Sequence, residues 1–389
     1  MVKIYTFIIL KHIMSVQTSS KRYLSLDVLR GLTIALMVVV NTPGSWSTIY
    51  APFEHAPWHG FTPTDLVFPT FLFVVGNAMS FSLKKYEAAG ERAFWQKILK
   101  RSLLIFLIGL LLTAFPLVTR TEEGIVWKDF TEMRIMGVLQ RIALCYFFAS
   151  IIIHYLKSRG ALALSVFFLL AYWGIMWFFG THPDPYSLPN NAALKFDLLV
   201  FPKENLWKGF GQAFDPEGLL STLPAIVNVI AGYLCGRFIQ KNPKKIKLVV
   251  SLLCMGVILL GIGKFWNIFF PINKGIWTSS FVVYSTGWDL LLIALLIFIT
   301  EIAKISRWTY FFQAFGRNPL FIFIMSGVLI KLLNFIQIDG ESLKAIIYRE
   351  GFQSWLDPYN ASLLFALSFM LSLWLLGYLL DRNKIYIKV

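Results

Sequence analysis

The sequence predicts an all-α protein, a polytopic transmembrane helical bundle of about 10 spans with both termini on the cytoplasmic side. Three observations carry this. The 389 residues are 57% hydrophobic and only 15% charged, against about 25% charged in an ordinary soluble domain. Apolar runs of roughly 20 residues recur, each long enough to cross a hydrocarbon core of about 30 Å. The basic residues, which give a formal charge of +15, fall in alternate loops. Only helices and closed barrels span lipid, and runs this uniformly apolar lack the alternation of barrel strands.

Residues 1–21 read as a poorly defined leader. Their apolar run is too short to span and no small-residue cleavage site follows, so either a frayed amphipathic segment or a start at Met14 fits. Residues 22–389 then read as a single transmembrane domain. Spans are expected at about 28–46, 64–83, 102–119, 135–156, 161–179, 219–238, 248–269, 279–300, 310–332 and 361–380, with boundaries good to a few residues. Lys21 and Arg22 precede the first span. Lys84, Lys85, Arg92, Lys97, Lys100 and Arg101 follow the second. Lys157 and Arg159, then Arg237 to Lys247, then Lys304 and Arg307, and finally Arg382 to Lys388 mark every other loop. Loop 47–63 has no Lys or Arg. Basic loops face the cytoplasm, so loop 47–63 faces outward. The placement also argues against nucleic acid as the partner of the positive charge and for a lipid bilayer.

The outer loop 180–218 is long for a connection, and rich in Pro, Asn and large apolar residues. It is expected to pack over the mouth of the bundle. Cys145, Cys235 and Cys254 lie in or beside apolar runs with no metal spacing. No P-loop, GxGxxG, GxSxG or CxxC occurs.

Ionisable groups inside spans are costly and face the bundle interior. Asp27 and Arg30 are three apart on a helix and can pair, or Arg30 can meet an anionic ligand. Asn41 and Asn77 suit helix–helix hydrogen bonds or ligand contacts. Arg141 lies within the fourth span and needs a partner, for which Asp289 in the eighth is the natural candidate. Asp215 and Glu217 precede a span and suit helix capping. Lys274 is placed to receive an anionic group, and Arg317 and Asn318 precede a kink at Pro319. His55 and His59 share the first outer loop, and Asp65 follows at the start of the second span. A His beside a carboxylate is the usual arrangement for a general base. The His-x-x-x-His spacing also fits a metal, but Pro57 and Gly60 disfavour the helix that would align the pair.

Several stretches are similar, in the same order, to the heparan-α-glucosaminide N-acetyltransferase family. They are LDVLRGLTIALMVVVNTPG, FEHAPWHGFTPTDLVFPTFLFVVGNAMSFSL, MGVLQRIALCYF, FDPEGLLSTLPAIVNVIAGYLCGR, INKGIWTSSFVVYSTGWD and FGRNPLFIF. The resemblance covers nearly the whole chain from residue 22, and is to a bacterial member without the large lumenal domain of the animal enzymes. It implies an acyltransferase of the inner membrane that moves the acetyl group of cytosolic acetyl-CoA to an amino-sugar or glycan acceptor on the far side, with no metal. By resemblance His55 is the active-site histidine, as general base or acetyl carrier, with Asp65 and Asn41 completing the catalytic set. Arg30, Arg141, Lys274 and Asn318 are the candidates to hold the cofactor, and a homodimer is implied. Thr42-Pro43-Gly44 and the run before His55 depart from the animal pattern, so the vestibule is expected to be reshaped. The competing reading is a secondary transporter of amino sugars or related solutes, which calls for a midplane site and broken helices. A scaffold would leave Arg141 and Asp289 without a purpose.

Overall fold

The computed structural model describes residues 23–387, apart from 122–123 and 243–245. The leader expected over residues 1–21 lies outside the described residues. The chain is mostly helical, with two small antiparallel hairpins as its only sheet among the described residues.

The first helix, α1, runs Leu24–Asn41. Helices α2 (Val67–Ala88) and α3 (Glu91–Ala114) follow. Hairpin β1 (Val118–Thr121) and β2 (Gly124–Trp127) leads to α4 (Val138–Phe179). Helix α5 (Ala192–Val200) lies within the long loop. Then come α6 (Thr222–Lys241), α7 (Ile246–Trp266) and α8 (Ser279–Ile297). Short α9 (Thr309–Arg317) and α10 (Pro319–Phe335) precede hairpin β3 (Gln337–Ile338) and β4 (Glu341–Ser342). Helices α11 (Leu343–Tyr348) and α12 (Pro358–Arg382) close the chain.

Seven helical segments are long and apolar enough to cross a membrane among the described residues, and eight if the bent α9–α10 pair is one span. The expectation of about ten spans met three departures. The runs expected at 135–156 and 161–179 form one 42-residue helix, α4, interrupted only at Lys157, which adopts φ 53°. At 1.5 Å per residue a straight helix of that length would reach about 63 Å, roughly twice a hydrocarbon core, so the Lys157 break divides it. Helix α3 starts well before the expected 102, and the charged Glu91, Arg92, Lys97, Lys100 and Arg101 occupy its first half. Helices α9 and α10 meet at 82°. The bend falls at Pro319, which has no N–H to continue the ladder.

The core is built by close helix contacts. A Cβ on Gly76 of α2 would lie 1.8 Å from the Val229 carbonyl oxygen of α6, and one on Gly232 of α6 would lie 1.8 Å from that of Phe73 on α2. The two glycines let these backbones touch, as small residues do where apolar burial against lipid gains nothing. Around them Leu72, Val229, Ile34, Phe281 and Trp277 are fully buried. One end of this bundle carries the C-terminus of α1, the start of α2 and the α7–α8 turn. The functional side chains gather there.

Candidate active site

Residues 42–66 leave α1 and double back before α2 begins. A 3₁₀ turn at Pro63–Leu66 carries Asp65, with Thr62 as its N-cap. Pro63 favours that start, and the Thr62 and Asp65 side chains cap each other's backbone N–H groups in a reciprocal box. Asp65 Oδ2 accepts from the Thr62 N–H (2.9 Å) and the Ala56 N–H (3.2 Å), which leaves Oδ1 for His55 Nδ1 at 2.7 Å. The carboxylate is 1% exposed while the His55 side chain is 44% exposed. The buried acid therefore acts as anchor and the ring as the working end. Asp65 accepts from two backbone N–H groups, so it is the acceptor and Nδ1 carries the hydrogen, which leaves the lone pair on Nε2.

Lys274 sits in the turn between α7 and α8, with Nζ 3.0 Å from His55 Nε2 and 3.2 Å from Nδ1. The turn is heavily braced. Asn273 N–H donates to Thr278 Oγ1 (3.0 Å), the Ile276 N–H donates to Asn273 Oδ1 (3.0 Å), and Trp277 takes φ 51°. The turn is also tied to the histidine loop. Gly60 N–H donates to the Ile272 carbonyl (2.8 Å), and Asn273 Nδ2 donates to His59 Nδ1 (3.2 Å). Burial pushes the His59 imidazole below its ordinary range, opposed by Asp184, so a neutral acceptor ring fits there. Burial likewise lowers the Lys274 ammonium, against the attraction of Asp65 and Glu217.

His55, Asp65, Asn41 and Lys274 line one cavity of about 680 Å³. Its rim is formed by the 180–218 segment, as expected of that loop, through Trp207, Gly209, Phe210, Pro216 and Glu217, facing Trp46 and Trp58. The Trp58 indole N–H donates to the Tyr186 carbonyl (2.9 Å), and its ring meets Phe210 and Phe214 edge-on at 5.6 and 5.4 Å. A second ionic cluster braces this rim. Arg134 donates from Nε to Asp215 (2.9 Å) and from Nη2 to Asp215 (2.6 Å) and Glu217 (2.5 Å). Burial works against its charge, yet the two carboxylates hold the guanidinium more firmly protonated than usual. Asp215 and Glu217 thus anchor an arginine as well as preceding α6, a role their sequence position did not reveal.

The proposed cofactor-binding residues separate. Lys274 is at His55. Arg141 is fully buried behind the cavity, where Nη2 donates to the Gly218 carbonyl (2.9 Å) and to Ser221, and its guanidinium lies 4.9 Å from the Trp277 ring. Its expected pairing with Asp289 does not form. Asp289 instead accepts from Thr70 Oγ1 of α2 at 2.6 Å, while Arg141 is drawn to the Gly218 carbonyl and Ser221 just before α6. Arg30 lies eleven residues before Asn41 on α1, about 17 Å along the axis, and pairs with Asp27 (3.4 Å) and the Gly316 carbonyl. Asn318 is spent on the C-terminal segment, donating to Ile385 and accepting from Ile387. His55 and His59 do not converge, and no group of three His, Cys, Asp or Glu side chains forms a metal site among the described residues. The rim residues Trp207, Phe210 and Arg134 went unnoticed in the sequence. The aromatic spacing of 207–214 was the available signal.

The fold and the site together define a multi-pass membrane protein with a buried carboxylate, a histidine and a lysine converging in a cavity at one end of the bundle. Comparison with known proteins gives its family. The model of the heparan-alpha-glucosaminide N-acetyltransferase catalytic region matches residues 22–265, and the chain belongs to that family. It is 25% identical to the Homo sapiens heparan-alpha-glucosaminide N-acetyltransferase over 359 residues, 78% of this chain and 52% of that protein. It is 24% identical to the Mus musculus enzyme over 366 residues, 80% of this chain and 54% of that one. The chain spans about half the length of the curated relatives it matches.

Proposed function

We propose that the protein is a membrane acetyltransferase that moves the acetyl group of acetyl-CoA to the amine of an amino sugar. The observation that carries this is the His55–Asp65 pair opening into the 680 Å³ cavity. A cavity of that size suits a compact polar ligand with an aromatic-lined rim. Acetyl-CoA supplies the activated acetyl carbon as a thioester.

The amine of an amino sugar is largely protonated near neutral pH, and only the free base attacks a thioester. His55 Nε2, with its lone pair toward the cavity, takes the amine proton, a role worth typically 10²–10⁴-fold. Asp65 fixes the tautomer and balances the imidazolium that forms. The new N–C bond forms as the C–S bond breaks, and the proton on His55 passes to the departing thiolate. The Asn41 side chain is the donor assigned to the carbonyl oxygen as negative charge develops there. Alternate basic loops support a cytosolic donor and an acceptor on the opposite, periplasmic face of a bacterial inner membrane.

The test is release of free CoA from acetyl-CoA by detergent-purified protein with glucosamine, beside His55→Ala. Release that needs the amino sugar and disappears in the variant is expected. A His55→Ala protein with full activity would sink the assignment. Uptake of labelled amino sugar without acetylation, in a protein that does not bind CoA, would point to a transporter instead.

A further inference from the structure

Three carboxylates line the cavity, and two of them are committed. Asp65 serves His55 and the Thr62 and Ala56 N–H groups. Glu217 is tied to Arg134. The third is Glu54, the residue before His55. Its backbone is fixed, since its N–H donates to the Ala51 carbonyl (3.2 Å) at the end of a 3₁₀ turn and its carbonyl accepts from Thr62 Oγ1 (2.6 Å). Its side chain is exposed and, among the described residues, no hydrogen bond or ion pair engages its carboxylate. The two cations that line the cavity both face carboxylates. Arg134 pairs with Asp215 and Glu217, and Lys274 feels the pull of Asp65 and Glu217. The uncommitted charge on the cavity wall is therefore negative, and it sits one residue from the working histidine.

We infer that Glu54 is a specificity-determining residue: its carboxylate receives the ammonium of an amino sugar and brings that nitrogen to His55. This rests on the acetyltransferase reading for its purpose, though not for its test. A free-standing carboxylate in a cavity is complementary to a small cation. A neutral hexose with a hydroxyl at the same carbon offers it only a weaker, uncharged donor. The need for such a group follows from its neighbours. Lys274 Nζ stands 3.0 and 3.2 Å from the two ring nitrogens of His55, and Arg134 lines the same cavity, so an ammonium approaching the histidine meets two cations. The carboxylates facing those cations are already spent, and Glu54 supplies the countercharge that is left. Its exposure also matters to the chemistry. Only the free amine attacks a thioester, so the ammonium must give up a proton after it binds. A buried carboxylate would hold the charged form tightly, whereas one in contact with water holds it loosely, and that proton leaves to solvent. The amine then stays within reach of His55 Nε2, which takes the second proton as the N–C bond forms and returns it to the departing thiolate.

The decisive measurement does not require turnover. Trp46, Trp58 and Trp207 line the cavity, so the tryptophan fluorescence of the detergent-purified protein follows its occupancy. Glucosamine is titrated beside glucose, which carries a hydroxyl in place of the ammonium. The unaltered protein should bind glucosamine more tightly than glucose, and added salt should narrow the gap because exposed charges are screened. Glu54→Gln should weaken glucosamine several-fold, leave glucose unchanged and remove the salt dependence. Glu54→Asp should keep part of the preference. Equal affinity for glucosamine in Glu54→Gln and the unaltered protein would overturn the proposal. So would an equal loss for both sugars, which would mean a change of shape, and so would an unaltered protein that binds neither. CoA release separates the two assignments. Glu54-dependent binding of glucosamine without release of CoA from acetyl-CoA would leave Glu54 a receptor for amino sugars in a protein that is not an acetyltransferase. Release of CoA with an unchanged KM for glucosamine in Glu54→Gln would leave the enzyme and overturn the role of Glu54. The expected result is release, with the KM for glucosamine raised several-fold in Glu54→Gln and the KM for acetyl-CoA unchanged.

Discussion

Two ionic clusters share the wall of one cavity, and they are built in opposite ways. Arg134 spends Nε and Nη2 on Asp215 and Glu217, and both carboxylates are nearly buried. Every charge there has a partner that cannot leave without cost. His55 has Nδ1 fixed by a buried carboxylate, while its ring is 44% exposed and Lys274 Nζ lies 3.0 and 3.2 Å from its two nitrogens without claiming either. Its Nε2 has no such anchor. A fully satisfied cluster gives shape to a site, while a cluster with an open nitrogen can accept a substrate. Charge content alone would not distinguish them.

The contrast can be broken from either side. The largest effect is expected for His55→Ala, with a loss of acetyl transfer of about 10²–10⁴-fold and a modest drop in melting temperature in detergent, since the ring is substantially exposed but Asp65 Oδ1 loses its partner. Next, Arg134→Met should cost roughly 3–5 kcal/mol of stability, because it strands two buried carboxylates. Combining it with Asp215→Asn and Glu217→Gln should recover much of that, as read by thermal or denaturant unfolding. Activity restored without stability would contradict the division of labour. Asp65→Asn should fall between the two in activity. It keeps the shape but loses the charge that orients and balances His55.

The smallest effect concerns Asp197 on α5. It accepts from the backbone N–H groups of Leu219 (2.9 Å) and Leu220 (3.3 Å), yet burial raises it to about 7 from an ordinary 3.8. A carboxyl raised on folding binds more protons folded than unfolded between those values. Its stabilising contribution is therefore full below about pH 4 and lost as pH rises to about 7. Melting temperature should decline across that window, and Asp197→Asn should flatten the decline. An unchanged slope in the variant would show that Asp197 is ionised throughout.

Much of the fold was legible because bilayer thickness imposes length and apolarity on each segment. Hence most of the apolar runs, the kink at Pro319 and the roofing loop were read in place, although α3 begins well before its expected start. The 42-residue α4 was not, because Lys157 reads as a loop residue, whereas its helix is interrupted at a single backbone position. His55 and Asp65 were legible because the nine residues between them hold the Thr62 turn that folds one onto the other. Lys274 was singled out as a receiver of an anionic group, but its nearness to His55 was not foreseen, since the two are 219 positions apart and no local pattern encodes that meeting. Arg141 and Asp289 were matched by sign alone. Sequence shows that both lie within apolar runs, but the facing surfaces of packed helices decide who meets whom.

Trp58 has a mechanical consequence. It bonds the roofing segment at Tyr186, stacks edge-on with Phe210 and Phe214, and fills the space in which a Cβ on Gly275 would sit, 2.9 Å from its ring. Like the keystone of an arch, it bears on three separate spans of chain at once. Raising the roof would therefore pull on the loop of His55 and on the turn of Lys274 together.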